Sequence, residues 1–189
     1  MTYSAGRILN GAIARCAALG LLLVGLGACV TEWKTATPEY HEKAVYLARF
    51  GQFIEWPAWP TTNAPVVIGV LGGNPFGDDL QKIVKDKNID GRPIVIRKMT
   101  PLSDLKQCQI LFIDKHQTST MPLILNSLDH APVLTVSGAD GFLERGGMIH
   151  FFMEQGKVRF EINRAAVDRA GLKMNSQLAA MARHSPAGP

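Results

Sequence analysis

Short, nearly continuous runs of apolar residues constrain the fold of this chain most. Val66–Leu71 and Ile110–Ile113 are apolar almost throughout, and Val133–Ser137 is mostly apolar. Strands that are apolar on both faces occur in parallel sheets whose two sides are covered by helices. The runs therefore predict an α/β fold, a three-layer sandwich with a mostly parallel sheet.

The segments between these runs have helical features and predict the covering layers. Thr37 and Pro38 are typical of a helix start, and the apolar stripe that follows continues to Ile54 at helical spacing. Trp56 and Pro57 are predicted to end that helix. The other predicted elements are the strand Pro93–Arg97 and the helices Gly77–Val84, Thr100–Lys106 and Met121–Leu128.

The C-terminal part of the chain changes from this alternation to a hairpin pattern. Met148–Met153 and Val158–Ile162 are strand-like, and the short segment Glu154-Gln-Gly-Lys157 separates them. A glycine-containing turn between two such runs predicts an antiparallel hairpin, added here to the sheet. Ends of the helices that follow are predicted at Asn163, Gly171 and Asn175.

The N-terminus has the layout of a secretory signal. The apolar run Cys16–Ala28 follows Arg7 and Arg15 and is shorter than the ~20 residues that a spanning helix needs. It ends in Leu26-Gly-Ala-Cys29, which resembles the bacterial lipobox, so Cys29 is predicted to be the lipidated N-terminus of the mature protein. A plain signal peptide with a chance cysteine is the alternative.

This reading divides the chain into a signal peptide at 1–28, a tether at 29–37, a domain at 38–184 and a disordered tail at 185–189. Val30, rather than aspartate, after the cysteine favours a lipid anchor in the outer membrane over one in the inner membrane. Removal of the signal lowers the formal charge from +4 to +2, with 18 basic and 16 acidic residues. No lysine–arginine run with interleaved aromatic residues occurs, so nucleic-acid binding is not predicted.

Cys108 would be the one cysteine in the folded domain. An internal disulfide is then impossible in the oxidising envelope. Its place at the start of an apolar run favours a small buried residue over a reactive redox thiol, because reactivity needs exposure and a depressed pKa.

Sequence motifs for catalysis are weak. Gly72 and Gly77 have the spacing of a phosphate loop, but Asp78 stands where lysine is needed, so a tight turn is favoured. Glu154 and Glu161 are better explained as solvated hairpin charges than as a catalytic pair. No catalytic residue, cofactor or metal is predicted. The histidines, which lack metal-ligand spacing, are His41, His116, His130, His150 and His184.

The segment Asp140–Gly147 is the candidate interaction loop, and the predicted surface also includes the adjoining helical C-terminus. The pair Gly146-Gly147 predicts a positive φ or a close backbone approach. A loop held in this way would present exposed apolar residues beside an arginine, a combination that anchors protein interfaces. In the alternative interpretation, Phe142 and Leu143 only cover the end of the sheet. The predicted interaction residues are Phe142, Leu143, Glu144 and Arg145.

A series of short motifs occurs in a fixed order between Tyr40 and Ala182. They are Phe53-Ile-Glu-Trp-Pro57, Ile68-Gly-Val-Leu-Gly72, Asn74-Pro-Phe-Gly77, Gly91-Arg-Pro93, Cys108-Gln-Ile-Leu-Phe-Ile113, Val133-Leu-Thr-Val-Ser137, Gly141-Phe142, Gly146-Gly-Met-Ile149 and Arg159-Phe-Glu-Ile-Asn163. In this order and spacing they resemble the YfiR family of periplasmic regulatory proteins.

The resemblance implies a small α/β domain without known catalysis that represses an inner-membrane diguanylate cyclase. It also implies a homodimer, limited cyclic di-GMP and biofilm formation, and relief of repression by an outer-membrane lipoprotein. The chain departs from the family's namesake in two features. The namesake is soluble, whereas this chain has a predicted lipid anchor. Cys108 matches a family cysteine position, but no second domain cysteine exists, so redox control through an internal disulfide does not carry over. Two alternatives stay open, a lipid-anchored small-molecule-binding protein serving a sensor kinase or transporter, and a hydrolase with an unrecognised site.

Overall fold

A computed structural model describes residues 36–58, 63–101 and 103–182 of the chain, which all belong to one compact unit. The predicted signal peptide, Cys29, most of the tether and the tail lie outside the described residues. No helix in the described ranges is long and apolar enough to cross a membrane.

Nine strands and five helices are assigned within these ranges, with short 3₁₀ turns between some of them. The strands are β1 (Ile54–Glu55), β2 (Val66–Leu71), β3 (Asn88–Ile89), β4 (Arg92–Met99), β5 (Ile110–Ile113), β6 (Leu134–Ser137), β7 (Ile149–Glu154), β8 (Lys157–Ile162) and β9 (Lys173–Met174). The helices are α1 (Pro38–Phe50), α2 (Asp79–Val84), α3 (Met121–Ser127), α4 (Arg164–Arg169) and α5 (Ser176–Met181).

Seven of the strands form one sheet in the order β3-β4-β2-β5-β6-β7-β8. The five central strands are parallel, and β3 and β8 pair antiparallel at the two edges. The predicted three-layer α/β fold, with a mostly parallel sheet and a C-terminal antiparallel hairpin, is confirmed. The antiparallel pair at β3 and β4 was not predicted, nor was the separate two-stranded sheet of β1 and β9.

Side-chain alternation along β2 divides the core into two layers. Val66, Ile68 and Val70 face the layer that contains α1, α2, α4 and α5. Val67 and Leu71 face the layer that contains α3 and the loop between β6 and β7. All six residues of β2 are buried, as expected for a central strand covered on both faces.

The first helix starts as predicted but ends earlier. The Thr37 hydroxyl accepts a hydrogen bond from Tyr40 N, and α1 ends at Phe50 rather than at Trp56. Ile54 instead pairs with Met174 in the small sheet. The apolar stripe continued at helical spacing past the true end, because pairing with a distant strand leaves no trace in local periodicity.

The helix predicted at Thr100–Lys106 is wrong. Thr100 and Ser103 form a turn in which the Ser103 hydroxyl accepts from Thr100 N at 2.9 Å. The Asp104 carboxylate accepts from Lys106 N, and only the 3₁₀ turn Leu105–Gln107 follows. Serine and aspartate side chains bond to nearby backbone groups and so compete with a helix.

Candidate interaction site

Phe142 anchors the loop between β6 and β7. Its side chain is fully buried and packs in the core layer of α3. The prediction that Phe142 is exposed for binding is therefore wrong. Burial removes the apolar surface of the benzyl group from water, which stabilises the fold. Phe142 supports the loop from below, and a partner could touch it only if the loop moved.

Gly146 and Gly147 fit the loop around this ring. Gly146 has a φ of +93°. A Cβ atom on Gly147 would lie 2.5 Å from both Cδ1 and Cζ of Phe142, a distance that real Cβ atoms do not adopt. Gly147 N also donates to Phe142 O at 2.9 Å. Both predicted roles of the glycine pair, positive φ and close approach, are confirmed.

Further hydrogen bonds close the loop on itself and onto α4. Arg145 Nη1 donates to Asp140 O at 2.7 Å, and Gly146 N donates to Leu143 O at 3.0 Å. Asn163 Nδ2 also donates to Leu143 O at 3.0 Å. Three of the loop's backbone positions are thus held before any partner arrives, which lowers the ordering cost of binding.

Asn163 has a second role that the sequence analysis missed. Its side-chain oxygen accepts from Ala166 N and caps α4, as predicted, while its amide nitrogen holds the loop at Leu143. A side chain that bonds in two directions can be recognised only from the fold, since the sequence signal at this position is that of a helix cap alone.

The accessible side of the loop carries charges of both signs. Asp140, Glu144 and Arg145 are exposed, and Leu143 is half-buried against the α3 layer. The loop therefore presents one apolar side chain, two acidic groups and one arginine on a fixed backbone. Of the four predicted interaction residues, the structure brings Leu143, Glu144 and Arg145 to the surface and keeps Phe142 below them.

Acidic groups surround the half-buried His150, which lies on β7 beyond the loop. Its ring stacks on Phe152 with 6.1 Å between centroids. Burial lowers the pKa of His150, while Glu161, Asp140 and Glu144 act in the opposite direction. Burial is the larger effect, so the imidazole is harder to protonate than a solvated one.

The end of the sheet where related architectures bind ligands is filled by the protein's own side chains. The strand order reverses between β2 and β5, and the ligands of doubly wound sheets bind in the crevice at such a reversal. Here a Cβ on Gly73 would lie 2.5 Å from Asp114 Oδ2, and Asp114 is only 6 % exposed. A carboxylate in the crevice disfavours a phosphate ligand, in agreement with the reading of Gly72–Gly77 as a turn.

Three of the described histidines pair with separate neighbouring acids. His41 contacts Asp79, His116 contacts Asp114 and His130 contacts Asp129. His184 lies outside the described residues. No group of three metal-binding side chains occurs within residues 36–58, 63–101 and 103–182.

A cavity of about 30 Å³ lies between α3 and α4. Its walls include Leu125, Thr135, Gly146 and Arg169. This space holds about two water molecules, whereas pockets for small organic ligands have about 300 Å³ or more. The cavity does not favour the small-molecule-binding alternative.

Cys108 is buried, as predicted, with an exposed fraction of 1 %. Its thiol donates to Leu105 O at 3.0 Å, and burial raises the pKa of the thiol to about 12. A thiol with this pKa forms almost no thiolate at neutral pH, and thiolate is the nucleophilic form.

We expect the native protein to react with a water-soluble thiol reagent only as fast as it unfolds. Cys108→Ala should lower the free energy of unfolding by about 1 kcal/mol, because it leaves a small cavity and removes the thiol's hydrogen bond to Leu105 O. Colorimetric thiol titration with and without denaturant, with chemical denaturation of the variant, measures both. Fast labelling without denaturant would contradict the burial and support a redox role.

Among known protein families, the YfiR/HmsC-like family matches this chain over residues 40–183. The match runs from the first turn of α1 to the end of α5, and therefore covers the whole sheet and the loop at Asp140–Gly147. A search of curated proteins found no match to the chain.

Proposed function

The chain belongs to the YfiR/HmsC-like family, and we propose that it is a non-enzymatic regulatory protein that binds and represses a membrane diguanylate cyclase. The family indicates a periplasmic regulatory protein of the diguanylate cyclase pathway. The family match over residues 40–183 is the observation that carries the proposal. Repression by direct binding would limit cyclic di-GMP and biofilm formation.

The proposed contact surface is the loop Asp140–Gly147 with its half-buried Leu143 and its exposed Glu144 and Arg145. Support comes from the buried Phe142 and from the hydrogen bonds that fix the loop backbone. A half-buried leucine beside an arginine on a rigid backbone combines apolar contact with a directional charge, which is typical of energetically important interface residues.

The proposal is tested with the double variant Leu143→Ala, Arg145→Ala. We expect cyclic di-GMP to rise to the level of a strain lacking the gene, while the thermal midpoint changes little. Hydrogen exchange at Gly146 and Gly147 reports whether the loop keeps its backbone, since Arg145 loses its bond to Asp140 O. Lys157→Ala at the exposed hairpin turn is the matched control and should leave cyclic di-GMP unchanged.

Two outcomes oppose different parts of the proposal. Normal cyclic di-GMP in the folded double variant would remove the loop from the mechanism. Normal cyclic di-GMP in the deletion strain would remove the repressor function itself.

We further propose that the protein is a lipoprotein with a signal peptide at 1–28, anchored through Cys29 and preferentially in the outer membrane. The short apolar run before Cys29 and the following Val30 support this. Metabolic labelling with a palmitate analogue should mark the wild type and leave Cys29→Ala unlabelled. Equal labelling of both proteins would contradict lipidation at this residue.

The partners completing the proposal are a second copy of the chain and an outer-membrane lipoprotein that relieves repression. Both come from the family resemblance. Affinity capture from membranes, followed by identification of the co-purified proteins, tests them together with the cyclase.

A further inference from the structure

The two edges of the seven-stranded sheet are built differently. At the β8 edge, Glu42 of α1 accepts a hydrogen bond from Val158 N at 3.0 Å. Val158 and Phe160 are 1 % and 2 % exposed, so the backbone of the edge is not accessible at these two residues. The helix thus protects β8 against pairing with another strand. Edge strands of natural proteins are usually protected in some such way.

The β4 edge lacks such cover in the described part of the chain. The neighbouring strand β3 pairs only with Arg92 and Pro93. The rest of β4, Ile94–Met99, pairs with β2 on one side and has no strand or backbone partner on the other among the described residues. Six residues of strand, the length of an average strand, therefore lack a strand partner at this edge. Ile94 and Met99 at its ends are buried, and Val95–Lys98 between them are accessible.

The hairpin at the start of β4 determines which backbone groups point outward. Asp90 and Gly91 have φ values of +51° and +76°, which is the type I′ turn of a two-residue hairpin. The pair that closes such a turn, Ile89 and Arg92, is hydrogen-bonded, so the backbone groups of Arg92 point toward β3. By alternation, the outward-pointing N–H and C=O groups further along β4 belong to Ile94, Ile96 and Lys98.

Positive charge lies on both faces of this open edge. Ile94 and Ile96 pack in the layer of α1, whereas Val95 packs in the layer of α3, so Arg97 lies on the α3 face and Lys98 on the α1 face. Both cations are exposed, and neither has an ion pair within the described residues.

We propose that the β4 edge at Ile94–Met99 binds an extended acidic segment of a partner protein as an added strand. The backbone groups of Ile94, Ile96 and Lys98 would supply the ladder, and Arg97 and Lys98 would each meet a carboxylate on opposite faces of the new strand. This surface is separate from the loop at Asp140–Gly147, so the inference does not depend on the proposed cyclase contact.

A second copy of this chain fits the edge less well. Antiparallel pairing of two β4 strands would bring two Arg97 and two Lys98 side chains into one short strand pair without a carboxylate. Like charges on neighbouring strands are destabilising, and edge lysine is a common device against self-pairing. Charge complementarity therefore selects an acidic occupant.

The probe for the test is a synthetic peptide of four Glu-Val repeats, with four Lys-Val repeats as its charge-reversed control. Added to the full-length protein, the Glu-Val peptide should slow amide hydrogen exchange at Ile94, Ile96 and Lys98 at least tenfold. The Lys-Val peptide should leave these amides unchanged at the same concentration. The double variant Arg97→Glu, Lys98→Glu should bind the Glu-Val peptide at least tenfold more weakly, and Lys157→Glu, far along the chain at the hairpin turn, should bind it normally.

Ile96→Pro tests the backbone contribution. It removes one outward N–H, leaves the bonds to β2 in place, and puts proline on an edge strand, where it is tolerated. We expect it to abolish peptide binding with an unchanged far-ultraviolet spectrum. If this variant does not fold, the charge-reversal variant decides alone.

Three results would overturn the inference. The first is no exchange protection on β4 at saturating Glu-Val peptide. The second is equal protection by the Lys-Val peptide or undiminished binding by the charge-reversal variant. The third is protection that rises with protein concentration without peptide, which would identify a second copy as the occupant.

Discussion

Phe142→Ala should lower the free energy of unfolding by about 3–5 kcal/mol, the usual cost of removing a buried aromatic ring. The ring is fully buried, and Gly147 is packed directly against it. Because the loop also loses its anchor, hydrogen exchange at Gly146 and Gly147 should increase under native conditions. Urea denaturation measures the stability, and amide exchange measures the loop.

A double-mutant cycle with Gly147→Ala isolates this contact. Alone, Gly147→Ala should destabilise the protein by about 1–3 kcal/mol, because its Cβ would overlap the Phe142 ring and force the loop to shift. In the Phe142→Ala background the same substitution should cost much less, since the obstructing ring is absent. Equal costs of Gly147→Ala in both backgrounds would show that ring packing does not determine the loop conformation.

This cycle also bears on the proposed interface. Leu143 and Arg145 lie on the accessible side of the loop, while Phe142 lies beneath it. Substitutions above the loop are expected to change regulation with little change in stability, whereas substitutions below it should change both. The contrast separates binding from folding in a region only a few residues long.

The parallel core of the sheet could be predicted from the sequence because its signal is local. β2 and β5 are short apolar runs. Because both faces of these strands are buried, no polar residue interrupts the apolar pattern. The hairpin at β7 and β8 was likewise recognisable from a glycine turn between alternating strands, and Gln155 and Gly156 adopt the positive φ values that such a turn requires.

The missed features depend on non-local contacts or on side-chain competition. Phe142 sits in a loop, where no periodicity distinguishes a buried aromatic residue from an exposed one. The turn at Thr100 starts like a helix, but Ser103 provides an alternative bond that ends it. The β3–β4 hairpin, by contrast, has a local sequence signal in Asp90-Gly91, a dipeptide typical of two-residue hairpin turns.

Lys43 shows that the type of a residue can mislead about its burial. It lies on α1 and is only 4 % exposed, although lysine is rarely buried. Its ammonium group pairs with Glu39 and lies 4.8 Å from the centroid of the Tyr40 ring. These partners offset the lost hydration of the ammonium group. Both lie one turn earlier on α1, a spacing that is equally common on an exposed helix face. The burial of Lys43 was therefore recognisable only once the buried face of α1 was known.

The second large loss of stability is expected from a substitution at the C-terminal end of α1, where Phe50 joins this helix to the C-terminal hairpin. Phe50 is 1 % exposed and its ring lies 5.7 Å from that of Phe151 and 5.2 Å from that of Phe160, between centroids. Tyr46 stacks on it from one helical turn earlier. The four rings thus bind the first helix to the last two strands of the sheet.

Phe50→Ala should therefore destabilise the whole domain by about 3–5 kcal/mol and lower its thermal midpoint by about 6–20 °C. The loss includes the edge-to-face contact with Phe160 as well as the buried area. Leu123→Ala on α3 is the control, because Leu123 is 73 % exposed and its loss should change stability by less than about 0.5 kcal/mol. Because α1 also covers the β8 edge through Glu42, amide exchange at Val158 should accelerate in Phe50→Ala more than exchange at Ile68 in the central strand β2. Uniform acceleration at both positions, with a stability loss below about 1 kcal/mol, would contradict the view that this aromatic cluster holds the helix on the hairpin.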